Sequence, residues 1–184
     1  MSERAACRKT SRRRFLQTST AAALTAGGLA LVRSAHGAGR EQIRIGMIGC
    51  GGRCSGAASQ ALALGKDVKL AAMTDIFENR MAAKREHFRT RFPDQFAATD
   101  ETCTYGLDGY RTVIEASDAV LIACASKFHA YYAEEAIRAG KHVFIEKPHA
   151  IDPAGCRRLR RVCELAAERG LSLVSGHEGR YSLA

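Results

Sequence analysis

The chain of 184 residues carries 28 Lys plus Arg against 19 Asp plus Glu, a formal net charge of +9, and 46% of its residues are apolar. The charge is uneven: residues 1–40 hold eight basic side chains and one acid, while the remaining 144 residues are nearly neutral. A near-neutral body gives little support to a nucleic-acid-binding domain, the apolar fraction argues against a disordered chain, and no apolar run reaches the ~20 residues of a membrane-spanning helix.

Residues 1–37 read as an address. A positive region ends in Ser11-Arg12-Arg13-Arg14-Phe15-Leu16-Gln17, and a weakly apolar stretch runs from Ala21 to Val32, interrupted by Thr25, Gly27 and Gly28. Ser34-Ala35-His36-Gly37-Ala38 places small residues at −3 and −1 for cleavage after Gly37. The run Ser-Arg-Arg-x-Phe-Leu resembles the twin-arginine (Tat) export signal. That resemblance implies the Tat machinery as a partner, passage of an already folded protein, and a periplasmic or extracytoplasmic location. No stable membrane anchor is expected, because Ala21–Val32 is too short to span. The plain alternative is a basic tail with no role.

From residue 42 the pattern alternates between short β-branched runs and helical periods. Ile43–Ile48 reads as a strand, followed by glycines and a small-residue helix to about Leu64, closed by Gly65. Val68–Thr74 is a second strand. Glu78 to about Arg91 is a charged helix with Met81, Ala82, His87 and Phe88 on one face, stopped before Pro93. A short third strand falls within Ala97–Tyr105 and a short helix within Gly109–Glu115. The apolar run Ala119–Ala123 suits a buried parallel strand. A helix from about Phe128 to Ala139, capped by Gly140, leads to a strand at Val143–Ile145. Asp152 then stands as N-cap with Pro153 at the first helical position. That helix carries Cys156, Leu159, Val162, Cys163 and Ala166 on one stripe and ends at Gly170, before a last strand opening at Leu171. Such alternation predicts an α/β fold, a doubly wound parallel sheet of Rossmann type.

Cysteines stand at 7, 50, 54, 103, 124, 156 and 163. An odd count without a C-x-x-C pair fits neither a disulfide framework nor a zinc site, so no metal is expected.

Gly49-Cys50-Gly51-Gly52-Arg53-Cys54 directly follows the first strand and opens the first helix. Gly49 supplies a tight turn, Gly51 lets a pyrophosphate approach the backbone, and the helix start at Gly52 and Arg53 offers free N–H groups and a positive dipole end. Asp75, ending the second strand, is placed to accept both hydroxyls of an adenosine ribose. These residues are the candidate binding set for NAD. Asp75 repels a 2′-phosphate, while Arg80 on the next helix moderates that repulsion or is simply solvated, so NADP stays open. Cys54 occupies the third glycine position, where tight helix–strand packing is usual; a slightly displaced helix and weaker binding are expected.

The segment Ala139-Gly140-Lys141-His142-Val143-Phe144-Ile145-Glu146-Lys147-Pro148 resembles the signature of the glucose–fructose oxidoreductase / inositol dehydrogenase / rhizopine-catabolism (Gfo/Idh/MocA) family. With the glycine loop, Asp75 and His129, the likeness runs from about Ile43 to Tyr181. It implies a Rossmann domain followed by a larger α/β domain, and hydride transfer between NAD(P) and a sugar or polyol. Lys147 matches the lysine beside the nicotinamide and the substrate hydroxyl, and Pro148 the proline that shapes its turn. Glu146 is placed to hold the charge of Lys147. Ser126 and His129 join the cofactor-binding set, with the alternatives that Ser126 merely begins a turn and His129 caps a helix; Arg180 matches a basic residue near the sixth strand.

This reading divides the chain into a signal peptide at 1–37, a dinucleotide-binding domain at 42–176, and, at 177–184, the start of a linker to a second domain that the chain lacks. The competing readings are a stand-alone nucleotide-binding module that needs a partner, an inert product of an interrupted frame, and a methyltransferase with a similar glycine loop, which Glu146-Lys147-Pro148 argues against. Without a second domain to wall the site, the isolated chain is expected to bind NAD(H) weakly and to show little or no turnover. Assaying sugar-dependent NAD+ reduction by the purified chain checks this; measurable turnover overturns it.

Overall fold

The computed structural model describes residues 42–177. The expected signal sequence and Arg180 lie outside the described residues. Six strands form one parallel sheet: β1 (Ile43–Ile48), β2 (Val68–Asp75), β3 (Cys103–Tyr105), β4 (Ala119–Ile122), β5 (His142–Glu146) and β6 (Leu173–Gly176). Their spatial order is β3-β2-β1-β4-β5-β6. The chain therefore winds outward from β1 to β3, crosses back, and winds outward again from β4 to β6. The reversal between β1 and β4 is the switch point at which open α/β sheets bind ligands.

Five α-helices connect the strands: α1 (Gly52–Leu62), α2 (Glu78–Arg91), α3 (Gly109–Ala116), α4 (His129–Arg138) and α5 (Pro153–Glu168). Side-chain alternation along the strands creates two cores. Ile45 and Met47 of β1 and Leu121 of β4 point to the layer of α1 and α2, where Leu62, Met81 and Phe88 meet them. Ile48, Val120 and Ile122 point the other way, toward Val113 of α3, Ala133 and Ile137 of α4, and Val162 and Ala166 of α5. Both faces of the central strands are thus covered, which is why they read as near-continuous apolar runs.

Local signals set the element ends. Asp152 Oδ1 accepts from Gly155 N at 2.6 Å and Pro153 opens α5, the expected cap. Gly140 and Gly170 follow α4 and α5 at φ +76° and +65°, the left-handed conformation that closes helices.

Several boundaries and faces differ from expectation. α1 ends at Leu62, β6 begins at Leu173, and a single 3₁₀ turn, Ser126–Phe128, precedes α4. Cys156 and Cys163 are exposed; the buried stripe of α5 narrows to Val162 and Ala166, flanked by Leu159 and Leu165. On α2, Ala82 and His87 face solvent while Met81 and Phe88, two turns apart, face the sheet. The reason is geometric in both cases. A helix laid on a twisted sheet contacts it along a narrow line, so residues one position to the side lose contact.

Phe88 is fully buried in the α1/α2 layer. Phe88→Ala is expected to lower stability by about 3–5 kcal/mol through lost burial and the remaining cavity, read from the urea midpoint of the full chain; His87→Ala, one residue away on the wet side, is expected to shift it by less than about 0.5 kcal/mol.

Candidate functional site

β1 ends at Ile48, and the chain turns through Gly49 at φ +102°. A Cβ there would sit 2.9 Å from the Ala123 carbonyl oxygen and 3.0 Å from the backbone of Cys124. Conformation and crowding both require glycine. Gly49 N donates to the Thr74 carbonyl at 2.8 Å, which fastens the bend to β2. Gly51 is the N-cap of α1 and supplies no side-chain cap. A Cβ on Gly51 or Gly52 would meet nothing within 4 Å. The space beside the first residues of α1, at the positive end of a helix without a capping side chain, is therefore open, which is the environment an anion needs.

Asp75 closes β2 and is already oriented. Its Oδ2 accepts from Cys50 N at 2.7 Å and its Oδ1 from Phe77 N at 3.0 Å. Each carboxylate oxygen keeps a second lone pair for a ribose hydroxyl. A cleft of about 300 Å³ extends from Gly49, Gly51 and Asp75 to Arg80 on one side and to Tyr110, Cys124, Phe128 and Tyr132 on the other. The Arg80 guanidinium lies 5.1 Å from the centre of the Phe77 ring. Opposite, Phe128 stacks on Tyr132 at 5.5 Å and Tyr132 packs at a tilt against Tyr110 at 4.6 Å. Thr74 also lines the cleft, and its hydroxyl has no partner in the protein.

The thiols stay out of the way. Cys54 is fully buried beneath α1 with Sγ 3.6 Å from the Leu121 carbonyl, between β1 and β4. Cys50 packs under the bend, its Sγ directed to the Thr74 carbonyl. Burial pushes the Cys50 thiol up to about 12, and Cys124, at the cleft wall, likewise to about 12. Both are protonated at neutral pH and are poor nucleophiles.

The second half of the site lies at the end of β5. Glu146 is buried; its Oε1 accepts from Arg53 Nε at 2.6 Å and its Oε2 from Lys147 N at 3.2 Å. Lys147 itself is exposed and joined to Pro148 by a cis peptide bond. His129 is 1% exposed, with Nδ1 2.9 Å from the Pro148 carbonyl and Nε2 3.1 Å from the Cys124 carbonyl. It ties the loops after β4 and β5 together and is not among the residues lining the cleft. Ser126 is half-buried at the start of the 3₁₀ turn. Two residues beyond Lys147, His149 Nε2 lies 2.7 Å from Ser175 Oγ. Burial and the neighbouring His177 and His129 lower its pKa, which favours the neutral imidazole.

The structure thus brings Gly49, Gly51 and Asp75 to one cleft, and Arg53, Glu146, Lys147 and Pro148 to the adjoining strand end. The sequence gives no hint of the aromatic wall, since Tyr110, Phe128 and Tyr132 converge only through the crossover. Of the two sequence readings for Arg80, beside the cofactor or simply solvated, the structure sets it at the cleft.

The site fits an adenine dinucleotide: an open, uncapped helix start for the pyrophosphate, a fixed carboxylate for the ribose, and a half-apolar cleft beyond it. Comparison with known proteins agrees. Residues 43–177 match the family model described as an oxidoreductase family with an NAD-binding Rossmann fold. The chain belongs to the Gfo/Idh/MocA oxidoreductase family. It is 32% identical over 139 residues to a dTDP-3,4-didehydro-2,6-dideoxy-α-D-glucose 3-reductase of Actinomadura kijaniata, covering 74% of this chain and 37% of that one. Among solved structures, it is similar to the WlbA dehydrogenase from Bordetella pertussis in complex with NADH and UDP-GlcNAcA, with a TM-score of 0.58 and 25% identity, covering 76% of this chain and 36% of the other. A variant of the 3-ketoreductase KijD10 from Actinomadura kijaniata in complex with NADP gives a TM-score of 0.53 at 28% identity, over 73% and 37% of the two chains. The chain thus spans less than half the length of these relatives. Within the Gfo/Idh/MocA family, residues 43–177 are the NAD-binding Rossmann domain.

Gly51→Ala is expected to leave the melting temperature unchanged, because the space is open, yet to weaken NADH binding by about tenfold or more by holding the pyrophosphate off the backbone. Gly49→Ala is expected to destabilise the fold itself. Differential scanning fluorimetry with and without NADH separates the two.

Proposed function

We propose that the protein serves hydride transfer between a nicotinamide dinucleotide and a hydroxyl-bearing carbon of a sugar or polyol, with Lys147 as the catalytic residue. The observation that carries this reading is the convergence of the Gly49 bend, Asp75 and Lys147 on one carboxyl edge of the sheet, the bend and Lys147 following strands β1 and β5, which flank β4. A bound dinucleotide supplies the hydride acceptor and donor. The residues of this chain form the coenzyme-binding half of that machinery, and by itself the chain is expected to bind the dinucleotide with little or no turnover. N–H groups at the start of α1 hold the pyrophosphate, Asp75 orients the ribose, and the aromatic side chains line the cleft. Lys147 hydrogen-bonds the reacting oxygen and handles its proton, the role open to a lysine at a strand end beside the substrate. The sugar class is supported by the relatives, which are named for nucleotide-linked sugars.

NAD is favoured over NADP. The fixed Asp75 carboxylate stands where a 2′-phosphate would bring two further negative charges, and Arg80 at the cleft edge offsets this only in part. Ser126 and Pro148 complete the wall around the nicotinamide end, and His129 holds that wall in shape. The twin-arginine leader at Arg12 and Arg13 routes the folded protein out of the cytoplasm.

NADH is expected to bind the purified chain at least about tenfold more tightly than NADPH, and Asp75→Asn to abolish that difference; fluorescence titration reads both, and a melting temperature unmoved by saturating coenzyme overturns the reading. Arg12→Lys with Arg13→Lys is expected to trap the precursor in the cytoplasm, followed by fractionation of a tagged chain.

A further inference from the structure

Glu146 is the one acidic side chain among the described residues that is buried, at 3% exposure. A carboxylate so placed is costly unless both oxygens are satisfied and its charge is paired. Arg53 does the pairing. Its Nε lies 2.6 Å from Oε1, and the arginine comes from the first turn of α1, beside the bend that faces the pyrophosphate. The other oxygen takes the backbone N–H of Lys147. β6 packs so tightly on this pair that a Cβ on Gly176 would overlap the carboxylate. One ion pair therefore links the dinucleotide bend to the residue that ends β5.

We propose that Arg53 is a positioning residue for Lys147 and acts through the Glu146 carboxylate. The inference rests on the dehydrogenase reading above for the role of Lys147, and it assigns Arg53 a task beyond that of a residue in the glycine loop. With its charge paired by Arg53, Glu146 accepts from the Lys147 backbone without leaving an unbalanced buried carboxylate at the strand end. Because Arg53 starts the helix that receives the pyrophosphate, a shift of that helix on coenzyme binding is passed directly to the lysine. Other groups face the same pocket: Cys54 lies near Glu146 from below, and His129, His149 and His177 surround the strand end. The test is therefore run above pH 8, where ordinary imidazoles are neutral.

Acetylation of the Lys147 amine by acetic anhydride, followed by peptide mass spectrometry between pH 8 and 11 on the full chain, reads the charge around it. Arg53→Gln leaves Glu146 uncompensated and is expected to move the midpoint up by about half a unit, a roughly threefold slower reaction on the rising limb. Glu146→Gln removes the negative charge at the strand end and is expected to move it down by a similar amount. Arg53→Lys and the double variant Arg53→Gln/Glu146→Gln are expected to return it to the wild-type position. A tie that is only structural shifts the melting temperature without these opposite signs, and a Lys147 profile unmoved in Glu146→Gln overturns the proposal. Should Arg53→Gln fail to fold, Glu146→Gln and the double variant, which remove the buried charge, still decide the matter. NADH binding is measured on the same samples. Opposed shifts without NADH binding sink the dehydrogenase reading and leave the positioning role standing, whereas NADH binding with an unmoved lysine profile does the reverse.

Discussion

The bend at Gly49 has to satisfy three demands in one place. Its backbone must leave β1 in a left-handed conformation, pass within contact of Ala123 and Cys124 at the end of β4, and leave open space without a capping side chain at the start of α1. Glycine meets the first two demands, and the lack of any capping side chain meets the third. Asp75 then holds the result in place from β2 through the Cys50 N–H. Because β1 lies between β2 and β4, any change in the bend is felt by both neighbours at once. Preorganisation of this kind means that a ligand meets a site whose polar groups already point the right way, so little ordering entropy is lost on binding.

The carboxyl edge is also where charge is handled with most care. Asp75 and Glu146, which end β2 and β5, are treated differently there. Asp75 is half-exposed, held by backbone N–H groups alone, and keeps lone pairs for a ligand. Glu146 is buried and committed on both oxygens, one to a guanidinium and one to a backbone N–H. The first arrangement suits recognition and the second suits support, since a group spent on the protein cannot also serve a substrate. His129 belongs with the second kind. With both ring nitrogens against backbone carbonyls, it braces the loops after β4 and β5. A neutral imidazole donates through one nitrogen only, so one of those carbonyls faces a lone pair unless the ring carries both protons.

The buried thiols show how a departure from an all-glycine bend is absorbed. Cys54 replaces the small residue that normally lets a helix close on its strand, and its side chain is taken up in the layer between β1, β4 and α1 without entering the cleft. A thiol here behaves as a compact apolar group, consistent with the high pKa that burial imposes on it.

Amino-acid order alone determined the alternation of strands and helices, the glycine bend with its acidic partner 26 residues on, and the Asp152–Pro153 helix start, because each depends on spacing or on a backbone preference only a few residues long. It also marked Lys147 by the run Glu146-Lys147-Pro148. Only the tertiary structure decided the faces of α2 and α5, where Ala82, His87, Cys156 and Cys163 turn to solvent, since helical periodicity gives an apolar stripe but not the width of its contact with a twisted sheet. It alone could pair Arg53 with Glu146, 93 positions apart. It alone could gather Tyr110, Phe128 and Tyr132 into one wall. Contacts of that range come from the order in which strands are laid side by side, and nothing in a local window of residues encodes that order.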